Sequence, residues 1–279
     1  MHIHLVHLGR VGYREGLEAQ ARVVAARKAG AIGDTLLLLE HPPVITLGRN
    51  SARANVVASD EFLAARGVEL HEINRGGDVT YHGPGQLVGY PIFDLRGEWP
   101  GKKGPHLGPV DFVRMMEEAL IRVCADFGVM AKRIKGLTGV WTFGGGDAGN
   151  REQGVGNRGQ GTGNREQAIA EGSVPCSLLP APLPLEKKLA AIGVHVSQGV
   201  TSHGFALNVT TDLRDFQWIV PCGITDRGVT SLELEAADPA EVTMERAINS
   251  AARQFGRVFG RQMVGAESLE ALLNPAVVR

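Results

Sequence analysis

The sequence predicts an α+β fold (mixed α/β). Three observations point there. Extended segments and helical segments follow one another without a regular βαβ beat, which argues against a doubly wound parallel sheet. Some extended segments are aliphatic throughout, as in Leu36 to Leu39, whereas others alternate apolar with polar residues, as in HIHLVHL (2–8). Finally, 279 residues with 43% hydrophobic content suffice for a core that needs neither disulfide nor metal. A single domain over 1–279 is expected.

The elements follow in order. Residues 2–8 read as a strand with His2 and His4 on one face, a polar face rather than a metal site because no third ligand accompanies them. Residues 13–29 are alanine-rich and charged and read as a helix ending at Gly30. Thr35 to Glu40 is a strand stopped by the prolines of HPP (41–43), and Val44 to Leu47 resumes extended before the turn GRN (48–50). Ser59 caps a short helix, and Val68 to Ile73 is the next strand. Then comes RGGDVTYHGPGQLVGYPIFDL (75–95), glycine-rich at its entry and a strand from Gln86 to Leu95. So much glycine before a strand implies that something approaches the backbone closely.

Residues 110–127 carry Val113, Met116, Leu120, Val123, Cys124 and Phe127 at three- and four-residue steps, one apolar helix face with Cys124 as a buried thiol. Lys132 to Ile134, Thr138 to Phe143, Leu189 to Val196 and Phe205 to Val209 read as strands. Glu241 to Phe259 reads as a helix, and Glu267 to Leu273 as another. Between them, residues 144–172 hold ten glycines and repeat GNREQ at 149–153 and 163–167. Such sequence cannot bury a core. A surface insertion at about 144–187 is expected, with residues 147–170 dispensable for chemistry. Its GVGNRG (154–159) fits G-x-G-x-x-G, but it lies in a glycine tract rather than between strand and helix, so no dinucleotide site follows.

Net charge is −1, which gives no bias towards nucleic acid or an anionic membrane. The three cysteines, Cys124, Cys176 and Cys222, form no CxxC pair, and the first residues carry no basic segment followed by an apolar run. A cytoplasmic protein is expected, with no membrane partner, no metal and no cofactor.

The candidate chemistry lies in three glycine-bearing segments. Cys222 sits between Pro221 and Gly223, where a thiol can be presented to a ligand, although its residues alone favour a small buried cysteine in a turn. Lys188 opens the strand LAAIGV; such a lysine is commonly solvated, yet burial can make it a base. His82 and His203 each precede a glycine, a setting more common for a loop hydrogen-bonder than for a catalyst. Arg75 can hold an anion or pin its own loop. A thiol, a lysine, two histidines and exposed amides are compatible with acyl transfer.

Taken together, RGGDVTYHGPGQLVGYPIFDL, LEHPPVITLGR (39–49), GLTGVW (136–141), KLAAIGV (188–194), HGFALNV (203–209) and IVPCGI (219–224) closely resemble the signature blocks of the octanoyltransferases, in the family's order and over about residues 36 to 231. The resemblance implies a biotin/lipoate protein ligase-like catalytic domain, a mixed sheet flanked by helices. It implies an enzyme that takes an octanoyl group from octanoyl-acyl carrier protein and passes it to a lysine on the lipoyl domains of 2-oxoacid dehydrogenases and of the glycine cleavage H protein, without ATP. It makes Cys222 the nucleophile and Lys188 its partner. It places substrate-binding backbone at Arg75, Gly76, Gly77, Asp78, Val79, Thr80, Tyr81 and His82, at Ala191, Ile192 and Gly193, and at Gly204, Phe205 and Ala206. Thr80 and Tyr81 alternate in direction, so only one should face the site. Two rivals remain: an ATP-dependent lipoate or biotin protein ligase on the same fold, and a non-enzymatic binder of acyl carrier protein.

Overall fold

The computed structural model describes residues 2–97, 99, 101, 104, 106–143, 186–220 and 227–274. Among them the chain runs β1 (His2–Arg10), α1 (Tyr13–Lys28), β2 (Asp34–Glu40), β3 (Val44–Leu47), α2 (Asp60–Ala65), β4 (Glu69–Glu72), β5 (Thr80–His82), β6 (Gln86–Ile92), α3 (Pro109–Asp126), β7 (Ala131–Ile134), β8 (Leu137–Thr142), β9 (Lys188–Ser197), β10 (Val200–Asn208), α4 (Leu232–Glu235), α5 (Met244–Phe259), β11 (Gln262–Gly265) and α6 (Leu269–Leu273). Eight strands form one mixed sheet in the order β11-β1-β2-β6-β10-β9-β8-β7. β1 runs parallel to both its neighbours, and the remaining pairs are antiparallel. A second sheet, β4-β3-β5, stands beside it.

The main sheet is covered on both faces, which explains why β2 and β6 are buried along their length. One face packs α3 and α5 through Phe112, Phe255 and Phe259 against Phe93, Phe205 and Leu207. The other packs α1 and α6 through Val23 and Leu272 against Leu37, Leu39, Val88 and Ile92. The small sheet has its own cluster of Ile45, Leu63, Val79, Tyr81 and Phe216. Cys124 is fully buried in the α3 face, and burial pushes its thiol up to about 12, leaving it inert.

Several boundaries differ from expectation for identifiable reasons. β10 starts at Val200, not Phe205: His203 takes a left-handed φ of 57°, which breaks the alternation of the strand's first half. α5 starts at Met244 rather than Glu241, because Thr243 accepts from the Arg246 amide as N-cap and 239–241 forms a separate turn capped by Asp238. β6 ends at Ile92, beyond which Phe93 and Leu95 meet the other end of β10 around Gly199 and Thr201. β11 and β5, too short to carry a period, were not expected as strands. The Ser59 cap is as expected, its Oγ accepting from the Phe62 amide at 3.2 Å.

The stretch 144–185 lies outside the described residues, as do Cys176 and the GNREQ repeats. Thr142 donates from its amide to the Lys187 carbonyl at 2.9 Å, and the Lys187 amide donates back to Thr142 Oγ1 at 2.9 Å. The connection thus joins two adjacent antiparallel strands, where added length costs little closure entropy.

Candidate active site

A cavity of about 400 Å³ lies on the α1 face of the main sheet, between β6, β9 and β10 on one side and the 75–82 segment of the small sheet on the other. The glycine-rich entry explains itself here. The Gly76 amide donates to the Val194 carbonyl at 3.1 Å, stapling the loop across β9. A Cβ on Gly193 would sit 2.5 Å from the Gly76 carbonyl oxygen, and one on Gly48 would sit 2.4 Å from that of Gly77. The close approach is therefore partly backbone to backbone, chain on chain, and only Gly77 of the pair Gly76–Gly77 reaches the cavity wall. Arg75 holds the loop from within: its guanidinium donates to the Thr46 carbonyl and Oγ1, both at 2.9 Å, and to the Gly76 carbonyl at 3.1 Å.

Thr80 faces the cavity, and Tyr81 points the other way, 1% exposed, donating to Asp215 at 2.5 Å among Phe216 and Trp218. One of the two faces the site, as the strand period requires. Of the residues implied by resemblance, Arg75, Gly77, Asp78, Val79, Thr80, His82, Ala191, Ile192, Gly193, Gly204, Phe205 and Ala206 line the cavity together with Lys188. Gly76 and Tyr81 are not in that lining.

His82 and His203 lie on strands, not in loops. His82 is buried, and its protonation is fixed by a polar chain. Gln86 gives its Nε2 hydrogens to the Tyr81 carbonyl at 3.2 Å and to Asn208 Oδ1 at 2.9 Å, so its Oε1 must accept. His82 Nδ1, 2.7 Å from that oxygen, is then the donor, and Nε2 is left as an acceptor. Asn208 continues the chain to the Thr230 carbonyl at 2.9 Å. Burial, with His41 nearby, lowers the His82 pKa to about 3, so its ring is neutral.

Tyr13 packs against three imidazoles, at 5.0 Å from His41, 4.9 Å from His71 and 6.3 Å from His82. His41 Nδ1 donates to the Val11 carbonyl at 2.9 Å, so its Nε2 accepts from Tyr90 Oη at 2.8 Å. Burial raises both tyrosines and lowers His41, which favours the uncharged form of all three. Sequence reading missed Tyr13, Tyr90 and Trp141 as lining residues. Tyr13, from α1, lies outside every matched block, whereas Tyr90 and Trp141 lie in matched blocks on β6 and β8 but carry no residue pattern that assigns them to the cavity.

Lys188 opens β9 and is 8% exposed, with Nζ 4.7 Å from the centre of the Trp141 ring, a cation–π geometry. Its backbone is gripped from the far side: its amide donates to the Gly228 carbonyl and its carbonyl accepts from the Thr230 amide, both at 2.9 Å. At the other described end, the Val220 amide donates to the Asn55 carbonyl at 2.7 Å. Residues 221–226 fall between these anchors; Pro221, Cys222 and Gly223 lie outside the described residues. Among the described residues no cluster of three or more His, Cys, Asp or Glu side chains could hold a metal, and no helix is long and apolar enough to cross a membrane.

Residues 12–256 match the family model described as "Lipoyl protein ligase A/B catalytic domain". A protein named octanoyltransferase from Acidobacterium capsulatum is 59% identical over 273 residues, covering 98% of this chain and 96% of that one. The chain belongs to the octanoyltransferase family. A second octanoyltransferase, from Koribacter versatilis, is 48% identical over 271 residues, covering 97% and 90% of the two chains. Among solved structures, a bi-partite lipoate protein ligase from Thermoplasma acidophilum superposes with a TM-score of 0.63 at 15% identity, covering 99% of this chain and 91% of that one. A lipoate-protein ligase A bound with ATP superposes at 0.59 and 15%. At those identities the likeness establishes the fold: this octanoyltransferase has the lipoate protein ligase fold, a mixed sheet flanked by helices.

Proposed function

We propose that this octanoyltransferase takes its octanoyl group from acyl carrier protein, holds it as a thioester on Cys222, and passes it to a lysine amine of a lipoyl domain. The observation that carries this reading is the setting of Lys188. It is buried at one end of a largely apolar cavity, and its own strand is hydrogen-bonded to residues 228 and 230, a few positions beyond Cys222 in sequence.

The steps balance without a further reactant. The Cys222 thiolate attacks the carrier thioester carbonyl; the new C–S bond forms as the old one breaks, and the carrier thiol leaves with the proton given up by Cys222. The incoming amine then attacks the acyl-Cys222 carbonyl. Its excess proton passes through Lys188, and the Cys222 thiol is released. A thioester is exchanged for an amide, which is downhill. Lys188 serves both steps, first as the cation that favours thiolate and then as the route for the amine proton. The neutral His82 offers Nε2 only as an acceptor, suited to orienting a donor such as the incoming amine. Gly77, with its φ of 91°, is the described glycine whose amide is a candidate for the oxyanion.

A lipoate-protein ligase A of the same fold is bound with ATP, so the donor is the point to test. Purified protein with octanoyl-carrier protein and a lipoyl domain should form the octanoyl amide without ATP. Product formed from octanoate and ATP, and none from the carrier thioester, would overturn the reading.

A further inference from the structure

His203, which pairs with Val194 six residues along β9 from Lys188, also lines a second cavity of about 350 Å³ between α1 and the far half of the β9–β10 hairpin. Leu17, Ala21, Val24 and Val200 supply its apolar lining, and two of its polar members, Lys28 and Ser197, bond to each other at 3.1 Å. His203 belongs to both linings.

His203 is built into this position. Its φ of 57° is a left-handed conformation that residues with a side chain seldom adopt, and such outliers point to a function held in place by their surroundings. The surroundings are identifiable. The buried Gln20 side chain of α1 accepts from the His203 amide, and Nε2 of the ring bonds Asn74 Oδ1 at 2.8 Å. Asn74 lines the second cavity and its neighbour Arg75 lines the first. Charged and titratable neighbours come from both sides, Arg75 and His82 from the first cavity and His195 from the second. Burial, more than the nearby Arg75, lowers the ring to about 4, so an apolar chain meets an uncharged imidazole.

We propose that His203 is the specificity-determining residue that ends the acyl pocket, and that the cavity behind it is the space a longer acyl chain would enter if the imidazole were absent. The proposal rests on the acyl-transfer reading above and adds to it what sets chain length.

The test is His203→Gly. Glycine takes a φ of 57° without steric cost, so the strand keeps its bend while the partition is removed. The ratio of kcat/KM for dodecanoyl- over octanoyl-carrier protein should rise at least ~10-fold, the scale on which methylenes in an apolar pocket discriminate. Asn74→Ala, which loosens the ring without deleting it, should move the ratio the same way by less. An unchanged ratio in a cooperatively folding His203→Gly protein overturns the proposal. Should that variant, or the wild type, turn over neither donor, the Kd ratio for dodecanoate over octanoate by calorimetry reads the same partition: a rise in the variant supports it, and an unchanged ratio overturns it. A wild type that binds fatty acid but takes no acyl group from carrier protein would count against the transferase reading, leaving the partition to be judged on binding alone.

Discussion

The two faces of the main sheet are built from different chemistry. The face under α3 and α5 is the drier: Phe93, Phe112, Phe255 and Phe259 form a run of ring contacts between 5.1 and 5.8 Å, with the inert Cys124 in the same cluster, and the buried Glu117 of α3 is ion-paired with Arg114 and Arg133. The face under α1 mixes aliphatic residues with buried Tyr13, His41, His82, Tyr90 and His203, several tied by hydrogen bonds and all part of or close to the cavity. One face supplies cohesion and the other spends some of it on polar groups that must stay neutral and oriented. The difference teaches that stability and activity should separate by face.

The largest expected effect lies on the cavity side. Lys188→Ala should slow acyl transfer by ~10²–10⁴-fold, the usual cost of losing a general acid–base group. Lys188→Arg keeps the positive charge but cannot give up a proton. Single-turnover measurement should therefore show acylation by carrier protein falling less than transfer to the lipoyl domain. Wild-type rates for both variants in both half-reactions would reduce Lys188 to a strand-end lysine.

On the drier face the effect should reverse. Phe259→Ala empties a fully buried position and should cost ~3–5 kcal/mol of stability in urea unfolding. Activity per folded molecule should stay within a few-fold. A variant that keeps its stability but loses turnover would break the division between faces.

A smaller effect sharpens it by pH. The folded chain holds His82 at about 3 and His203 at about 4, both below an ordinary histidine. Depressed values mean that the unfolded chain binds more protons as acidity rises. Their contribution is complete above about pH 6.5 and is lost as pH falls towards 4 and 3, by up to ~1.4 kcal/mol per pH unit for each. Urea unfolding at pH 7 and about 5 should show the wild type losing more stability than a His82→Gln, His203→Gln double variant. Equal losses would mean that these rings protonate freely.

The drier face was the more legible in sequence. The three- and four-residue steps of α3 mark its buried side, Cys124 included, because helix burial leaves a period. The cavity was legible where chemistry concentrates in one segment, as in 75–82 and 188–193. It was not legible where the wall is assembled from distant pieces: Tyr13, His41 and Tyr90 meet from α1, the residue after β2, and β6, and although His41 and Tyr90 lie in matched blocks, nothing in the sequence says that the three come together. His203 hid for another reason. Its left-handed backbone interrupts the alternation that would have shown β10 starting at Val200, so a strand residue read as a loop residue.

The central claim is that the cavity beside Lys188 delivers an octanoyl group to Cys222. Intact mass spectrometry after mixing the full chain with octanoyl-carrier protein, in the absence of acceptor, tests it directly. The account predicts one added octanoyl group, removed by hydroxylamine, mapped to Cys222 by peptide digestion and missing from Cys222→Ser. No adduct on a folded wild type, or an adduct that maps to Cys124 or Cys176, would contradict it.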